Sequence, residues 1–102
     1  MNLCVSEALT AADRAACLAL RAEVFIDEQG VSEAEERDGR DDAGRHLLAR
    51  LDGRPVATLR LRVVEDAAKL ERVCVARALR GRGIGAALTR AALDLAATTP
   101  GV

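Results

Sequence analysis

The stretch VCVARALRGRGIGAAL (residues 73–88) decides the reading of this chain. It begins as an alternating apolar run, passes through a turn holding Gly81, Gly83 and Gly85, and opens onto an apolar pattern of helical period. In that pattern Ile84, Leu88, Ala91 and Leu95 fall on one side. A helix start leaves backbone N–H groups unpaired and carries a partial positive charge, so it suits a pyrophosphate. Gly83 and Gly85 remove side chains that would hold a phosphate away, and they allow φ > 0 where the loop curls. Arg80 and Arg82 add cationic donors beside them. Glycines ahead of a helix also serve simply to turn a chain, so the neighbouring elements must carry part of the argument.

Upstream, the pattern is that of strands. Residues 70–75 make one, with Glu71, Val73 and Val75 on one face and Cys74 on the other. Residues 56–64 alternate, placing Ala57, Leu59, Leu61 and Val63 opposite Thr58, Arg60 and Arg62, and residues 65–68 turn the chain between the two. Residues 46–51 alternate as well, and Asp52-Gly53, extended by Arg54-Pro55, is a hairpin turn signal. Further back, residues 30–44 are acidic and polar with Gly39 and Gly44, a loop with room for one helical turn. Cys17, Leu20 and Val24 recur at helical spacing after Thr10 and Asp13, which suit a helix start, and Gly30 is a plausible stop. Residues 2–8 suit a short strand. Residues 98–101 (Thr-Thr-Pro-Gly) end the last helix. The order is strand, helix, acidic loop, three antiparallel strands, glycine turn, helix: an α+β arrangement in a single domain over residues 1–102.

Composition narrows the function. The 102 residues are half apolar with a formal net charge of -1, as expected of a globular protein. Phe25 is the only aromatic residue, so no row of rings is available for stacking single-stranded bases, and nucleic acid is not expected as a partner. Cys4, Cys17 and Cys74 show no CxxC spacing, which points to no metal, no disulfide framework and a reducing cytoplasmic setting. No secretory signal or membrane-spanning run is evident, and no membrane partner is expected. The near-zero charge hides a division. Residues 27–42 hold eight acids against Arg37 and Arg40, while residues 60–90 hold eight bases against Glu65, Asp66 and Glu71. The acids would attract amines and the bases phosphate, unless both are merely solvated surfaces.

Arg80-x-x-Gly83-x-Gly85 resembles the pyrophosphate signature (R/Q-x-x-G-x-G/A) of the GNAT acetyltransferase superfamily, placed as there between strand and helix. LRAEVFIDEQG (residues 20–30), the acidic stretch with Asp38 and Asp42, HLLA (residues 46–49) and PVATLRL (residues 55–61) resemble its ElaA-like branch. Together these matches cover about residues 18–95. The resemblance implies the GNAT fold, a mixed, mostly antiparallel sheet flanked by helices. It also implies an N-acetyltransferase that uses acetyl-CoA as cosubstrate on a small-molecule or peptide amine, with a homodimer as a possible assembly. Backbone groups of Val73, Cys74 and Val75 would bind the pantetheine arm. The amides of Gly81, Arg82, Gly83, Ile84, Gly85 and Ala86 would hold the pyrophosphate, with Arg80 beside them. Glu28, Gln29 and His46 fall at acceptor-side positions, with a solvated helix end and a structural hydrogen bond as their plainer roles. Glu71 is a candidate base or a carboxylate paired with an arginine.

Two departures from the family pattern bear on this reading. The chain ends at Val102 where the family continues with a strand, a helix and a hairpin, so the C-terminal elements of the fold are expected to be missing and the edge at residues 70–75 open to self-association. With those elements goes the tyrosine that often protonates the leaving thiolate, and this sequence has no tyrosine. The second departure is Glu71, where the ElaA-like pattern tends to a small residue. A non-catalytic CoA-binding or structural fragment of such a domain is the alternative. A Rossmann reading of Gly81-x-Gly83-x-x-Ala86 fails for want of an acidic residue about 20 positions on. Cys74, alternating away from Val73 and Val75, reads as a small core residue rather than a nucleophile.

Overall fold

The computed structural model describes residues 2–102. Four strands, β1 (Leu3–Glu7), β2 (Arg45–Leu51), β3 (Arg54–Val64) and β4 (Ala67–Val75), form one sheet in chain order, every neighbouring pair antiparallel. Helix α1 (Ala11–Arg21) starts where Thr10 Oγ1 accepts the Asp13 N–H at 3.0 Å, the cap that the Thr10/Asp13 spacing suggests. Helix α3 (Ile84–Ala97) closes the described chain.

The sheet is covered on both faces. Leu47, Ala49, Ala57, Leu59 and Leu61 pack with Ile84, Leu88, Ala92 and Ala96 of α3. On the other face Leu48 and Cys74 pack with Ala8, Cys17, Leu20 and Val24. Alternation along β3 therefore sorts its residues as the sequence indicates. Thr58, buried on the α1 side, satisfies its hydroxyl by donating to the Leu47 carbonyl at 2.7 Å.

Three local features differ from the sequence reading. The β2–β3 hairpin turns on Asp52 and Gly53 alone, both at positive φ, and Arg54-Pro55 already belongs to β3. The next turn needs only Glu65 and Asp66, again both at positive φ, so β4 begins at Ala67. Finally, α1 runs on into a π-helical segment, Ala22–Glu28, in which the Gln29 N–H reaches the Val24 carbonyl at 3.1 Å. The wider winding redirects the side chains that follow it. A short helix α2 (Glu33–Glu36), capped by Ser32, is the one helical turn allowed in the acidic loop.

A fourth difference moves a candidate site residue. Thr58 pairs with Cys74, but Arg60 pairs with Glu71 and not with Arg72. One extra residue is thus inserted in β4, and Arg72 takes φ 54° within the bulge. The insertion resets the alternation, so Glu71 does not share a face with Val75. It lies on the Cys74 side, where Arg60 and Arg62 bond it, while Val75 packs toward α3.

Candidate active site

The groove begins at the edge of the sheet. The Ala76 N–H donates to the Val56 carbonyl at 2.8 Å, and Cys74 faces Thr58 in the same ladder. Antiparallel alternation then turns the backbone groups of Val75 and the Val73 carbonyl outward, away from β3, and those of Cys74 inward. Beyond Val75 a 3₁₀ turn, Arg77–Leu79, leads to the glycines. Gly83 is the N-cap of α3, at φ 79° and ψ 8°, a left-handed conformation that favours glycine. It supplies no side-chain cap, and the first helical bond is Ala87 N–H to Gly83 O at 3.1 Å. The N–H groups of Ile84, Gly85 and Ala86 therefore have no intrahelical partner. A Cβ built on Gly81, Gly83 or Gly85 would meet nothing within 4 Å, so the turn is open where side chains at these positions would lie. The Ile84 side chain is buried in the α3 core, so only its amide is available at the turn.

A groove of about 300 Å³ runs beside the turn, lined by Val24, Gln29, Val73, Cys74, Val75 and Arg80. Arg80 crosses it. Its Nη1 and Nη2 donate to the two Glu28 carboxylate oxygens at 2.6 and 2.7 Å, and its Nε donates to the Val75 carbonyl at 3.1 Å. The hydrogen bond from Arg80 holds the Glu28 carboxyl below the usual range. Arg82 is exposed and makes no side-chain hydrogen bond or ion pair among the described residues. Burial pushes the Cys74 thiol up to about 12, so it stays protonated and is a poor nucleophile.

His46 is not brought to this groove. It is buried, its Nε2 donates to the Asp41 carbonyl at 2.8 Å, and it lines a separate small cavity with Arg14, Leu18, Asp41 and Asp42. Glu71 is engaged by Arg60 at 2.9 Å and by Arg62. Burial alone would raise its pKa, but the Arg62 hydrogen bond and the Arg60 charge outweigh that and lower it. A carboxylate so held is a weak base at neutral pH.

The division of charge along the sequence resolves into ion pairs. Arg21, 1% exposed, bonds Glu36 and Asp41, each at 2.5 Å. Arg60, with no side-chain exposure, bonds Asp38, Asp41 and Glu71. Arg72 reaches Asp38 at 3.2 Å. The acidic loop is thereby fastened onto the α1 face of the sheet through Glu36, Asp38 and Asp41, while Glu33, Glu35 and Asp42 stay exposed, with no ion pair among the described residues. A second cavity, about 400 Å³, lies at the bulge between Phe25, Val31, Glu35, Glu36, Arg72 and Val73. Two of its lining residues, Arg72 and Val73, belong to the β4 bulge, which sequence periodicity does not signal. Val73 lines both cavities.

An open glycine-capped helix start beside an outward-facing strand edge is the geometry that the signature implies, and the profile of the acetyltransferase (GNAT) family matches residues 9–102. The chain belongs to the GNAT acetyltransferase family. Its four-stranded antiparallel sheet with flanking helices is the GNAT fold, in the α+β class. The uncharacterized protein YyaT of Bacillus subtilis is 43% identical over 79 residues, which is 74% of this chain and 53% of YyaT. This GNAT chain spans about half the length of the curated relatives it matches. Among solved structures, a putative N-acetyltransferase from Lactobacillus plantarum superposes with a TM-score of 0.84 at 34% identity, covering 95% of this chain and 68% of that one. Escherichia coli ElaA superposes with a TM-score of 0.82 at 27% identity, covering 98% and 73%.

Proposed function

We propose that this GNAT chain carries the acetyl-CoA site of an N-acetyltransferase of the ElaA-like kind, acting on an amine of a small molecule or peptide. The observation that carries the proposal is the set of unpartnered amides at Ile84, Gly85 and Ala86, in an open glycine turn and next to the outward edge of β4. In this reading the turn amides from Gly81 to Ala86 hold the pyrophosphate, with Arg82 as a free cation within the turn. Val75 offers outward N–H and C=O groups, and Val73 its C=O, to the pantetheine arm, while Cys74 between them fills the core and keeps its backbone bonded to β3. Acetyl-CoA lying along β4 would place its thioester near Val73, between the two cavities.

The reaction is direct transfer. The neutral amine attacks the thioester carbonyl carbon, a C–N bond forms, the C–S bond breaks, and the proton given up by the nitrogen is matched by one taken up by the leaving thiolate, so the products are the amide and the CoA thiol. Strand N–H groups at the outward edge stabilise the oxyanion. Glu28 and Gln29 stand at the groove on the acceptor side. Glu71 serves the structure, tying β3 to β4 through Arg60 and Arg62, and His46 does the same for the acidic loop.

Titration calorimetry with CoA tests the reading. Gly83→Val forces a left-handed residue to carry a β-branched side chain and blocks the phosphate, and it is expected to abolish measurable binding. Gly85→Val is the cleaner variant, because Gly85 has a negative φ and open space above it, so only a ligand is obstructed. CoA affinity unchanged in a folded Gly85→Val protein would overturn the assignment.

A further inference from the structure

We infer that Arg80 is a strut of the coenzyme groove and not a phosphate ligand, and that Glu28, acting through Arg80, is a positioning residue for the coenzyme. The inference rests on the acetyl-CoA reading above. Arg80 stands three residues ahead of Gly83, where its charge invites assignment to a phosphate, but its guanidinium is held by Glu28 and the Val75 carbonyl. One N–H of each nitrogen is used within the protein: two on the Glu28 carboxylate and one on the Val75 carbonyl. The planar fork matches a carboxylate bidentately, and such a pair is directional as well as strong. Turning Arg80 to the glycines would break all three bonds.

The strut joins parts that sequence keeps far apart. Glu28 is the last residue of the π-helical segment, whose winding sets where it emerges, and Val75 ends β4. Val24 and Gln29 line one side of the groove and Val73 and Val75 the other. The Glu28–Arg80 pair sets the distance between those sides, and the Nε bond orients the Val75 carbonyl that faces the groove. Arg82, exposed and without a partner among the described residues, remains in the turn as a cation for phosphate.

The sign of one effect separates strut from ligand. Glu28 places a negative charge near a site for an anion. If Arg80 were a phosphate ligand restrained by Glu28, neutralising Glu28 would release it and tighten CoA. If the pair is a strut, neutralising Glu28 loosens the groove and weakens CoA. We expect Glu28→Gln to weaken CoA about three- to fivefold, the upper range for one well-made exposed pair. Arg80→Gln should weaken it at least as much, and Glu28→Gln/Arg80→Gln no more than the larger single change. Arg80→Lys should resemble Arg80→Gln, because an ammonium keeps the charge but has neither the fork nor the Nε. The 3′-phosphorylated ADP fragment, which lacks the pantetheine arm, should bind wild type and Arg80→Gln alike.

Tighter CoA binding by Glu28→Gln, a near-normal Arg80→Lys, or selective loss of the nucleotide fragment in Arg80→Gln would each overturn the strut. Matching circular dichroism spectra and urea midpoints establish that the variants are folded. Wild-type protein that binds neither CoA nor the fragment would remove the acetyl-CoA reading and the strut with it. Wild type that binds CoA while Glu28→Gln binds equally well would remove the strut alone.

Discussion

Arg60 has no exposed side-chain surface, yet it carries a full charge, with its guanidinium bonded to Asp38, Asp41 and Glu71 at 2.8 to 2.9 Å. Arg21 and Glu36 repeat the arrangement, each 1% exposed, with Arg21 Nη2 also donating to the Glu36 carbonyl at 3.3 Å. Such pairs add little over apolar packing, but removing one partner strands the other without water. Glu36→Gln is therefore expected to cost about 3–5 kcal/mol, read as a lower urea midpoint at unchanged slope. Arg37 also bonds Glu36, at 3.0 Å, but it is 39% exposed, and Arg37→Gln should cost no more than about 1 kcal/mol. Equal effects of the two changes would show that burial does not decide the matter. None of this pairing is visible in the alternation of β3, which places Arg60 and Arg62 correctly away from the α3 core. Periodicity separates two faces; it does not say whether the polar face meets water or a folded-back loop. The opposed runs of acid and base were the available sign, and they read equally well as two ligand-facing surfaces.

At the scale of elements, the parts specified by local chemistry were legible and the irregular ones were not. The α1 cap depends on one residue, so Thr10→Ala should cost about 1 kcal/mol in urea unfolding. CoA affinity should be unaffected, because Thr10 lies at the end of α1 away from Glu28; a parallel loss of affinity would contradict that separation. The cap, the Asp52-Gly53 turn and the Gly83 start of α3 each follow from a residue suited to one conformation, and the sequence announces them. The Glu65-Asp66 turn places two non-glycine residues at positive φ, so its two-residue length is hidden. The β4 bulge is hidden for the same reason: Arg72, not glycine, takes the left-handed position. A period-two reading carried straight through it and put Glu71 on the wrong face. Leu20 of α1 and Val24 of the π-helical segment are both buried on the sheet side, as in one continuous α-helix, so the stripe gives no warning of the changed winding. Those two irregularities shape the groove, which explains why its glycine turn was legible and its walls were not.

The molecule as a whole is a sheet with α3 on one face and α1 plus a charge-clamped loop on the other, and that asymmetry fixes how stability responds to pH. The Arg60 hydrogen bond holds Asp38 well below the usual carboxylate range. Burial would raise Asp41 and Glu71, but hydrogen bonds and charges from Arg21, Arg60 and Arg62 outweigh it, and both are lowered. For a carboxyl depressed in the folded state, the stabilisation is complete above its unfolded value, near 3.8 for Asp and 4.5 for Glu. It is lost as pH falls through the folded value, because the unfolded chain then binds more protons. The buried thiols act in the opposite direction: Cys17 and Cys74 are raised by burial above their ordinary value of 9.0, Cys74 to about 12. Their contribution is complete below pH 9 and declines as pH rises toward 12. The arginines are raised still further and do not titrate in this span. We therefore expect a plateau in unfolding free energy from about pH 5 to 9, with a steep acid limb and a shallower alkaline one. Each excess proton taken up by the unfolded chain should add a slope of about 1.4 kcal/mol per pH unit to the acid limb. Urea titrations at fixed pH measure both limbs. Asp38→Asn should flatten the acid limb and leave the alkaline one alone, and Cys74→Ala should do the reverse. An acid limb that keeps its full slope in Asp38→Asn would place the pH sensitivity outside the clamp, in exposed pairs such as Glu28–Arg80, and 0.5 M salt would then remove it, since screening acts on exposed charges far more than on buried ones.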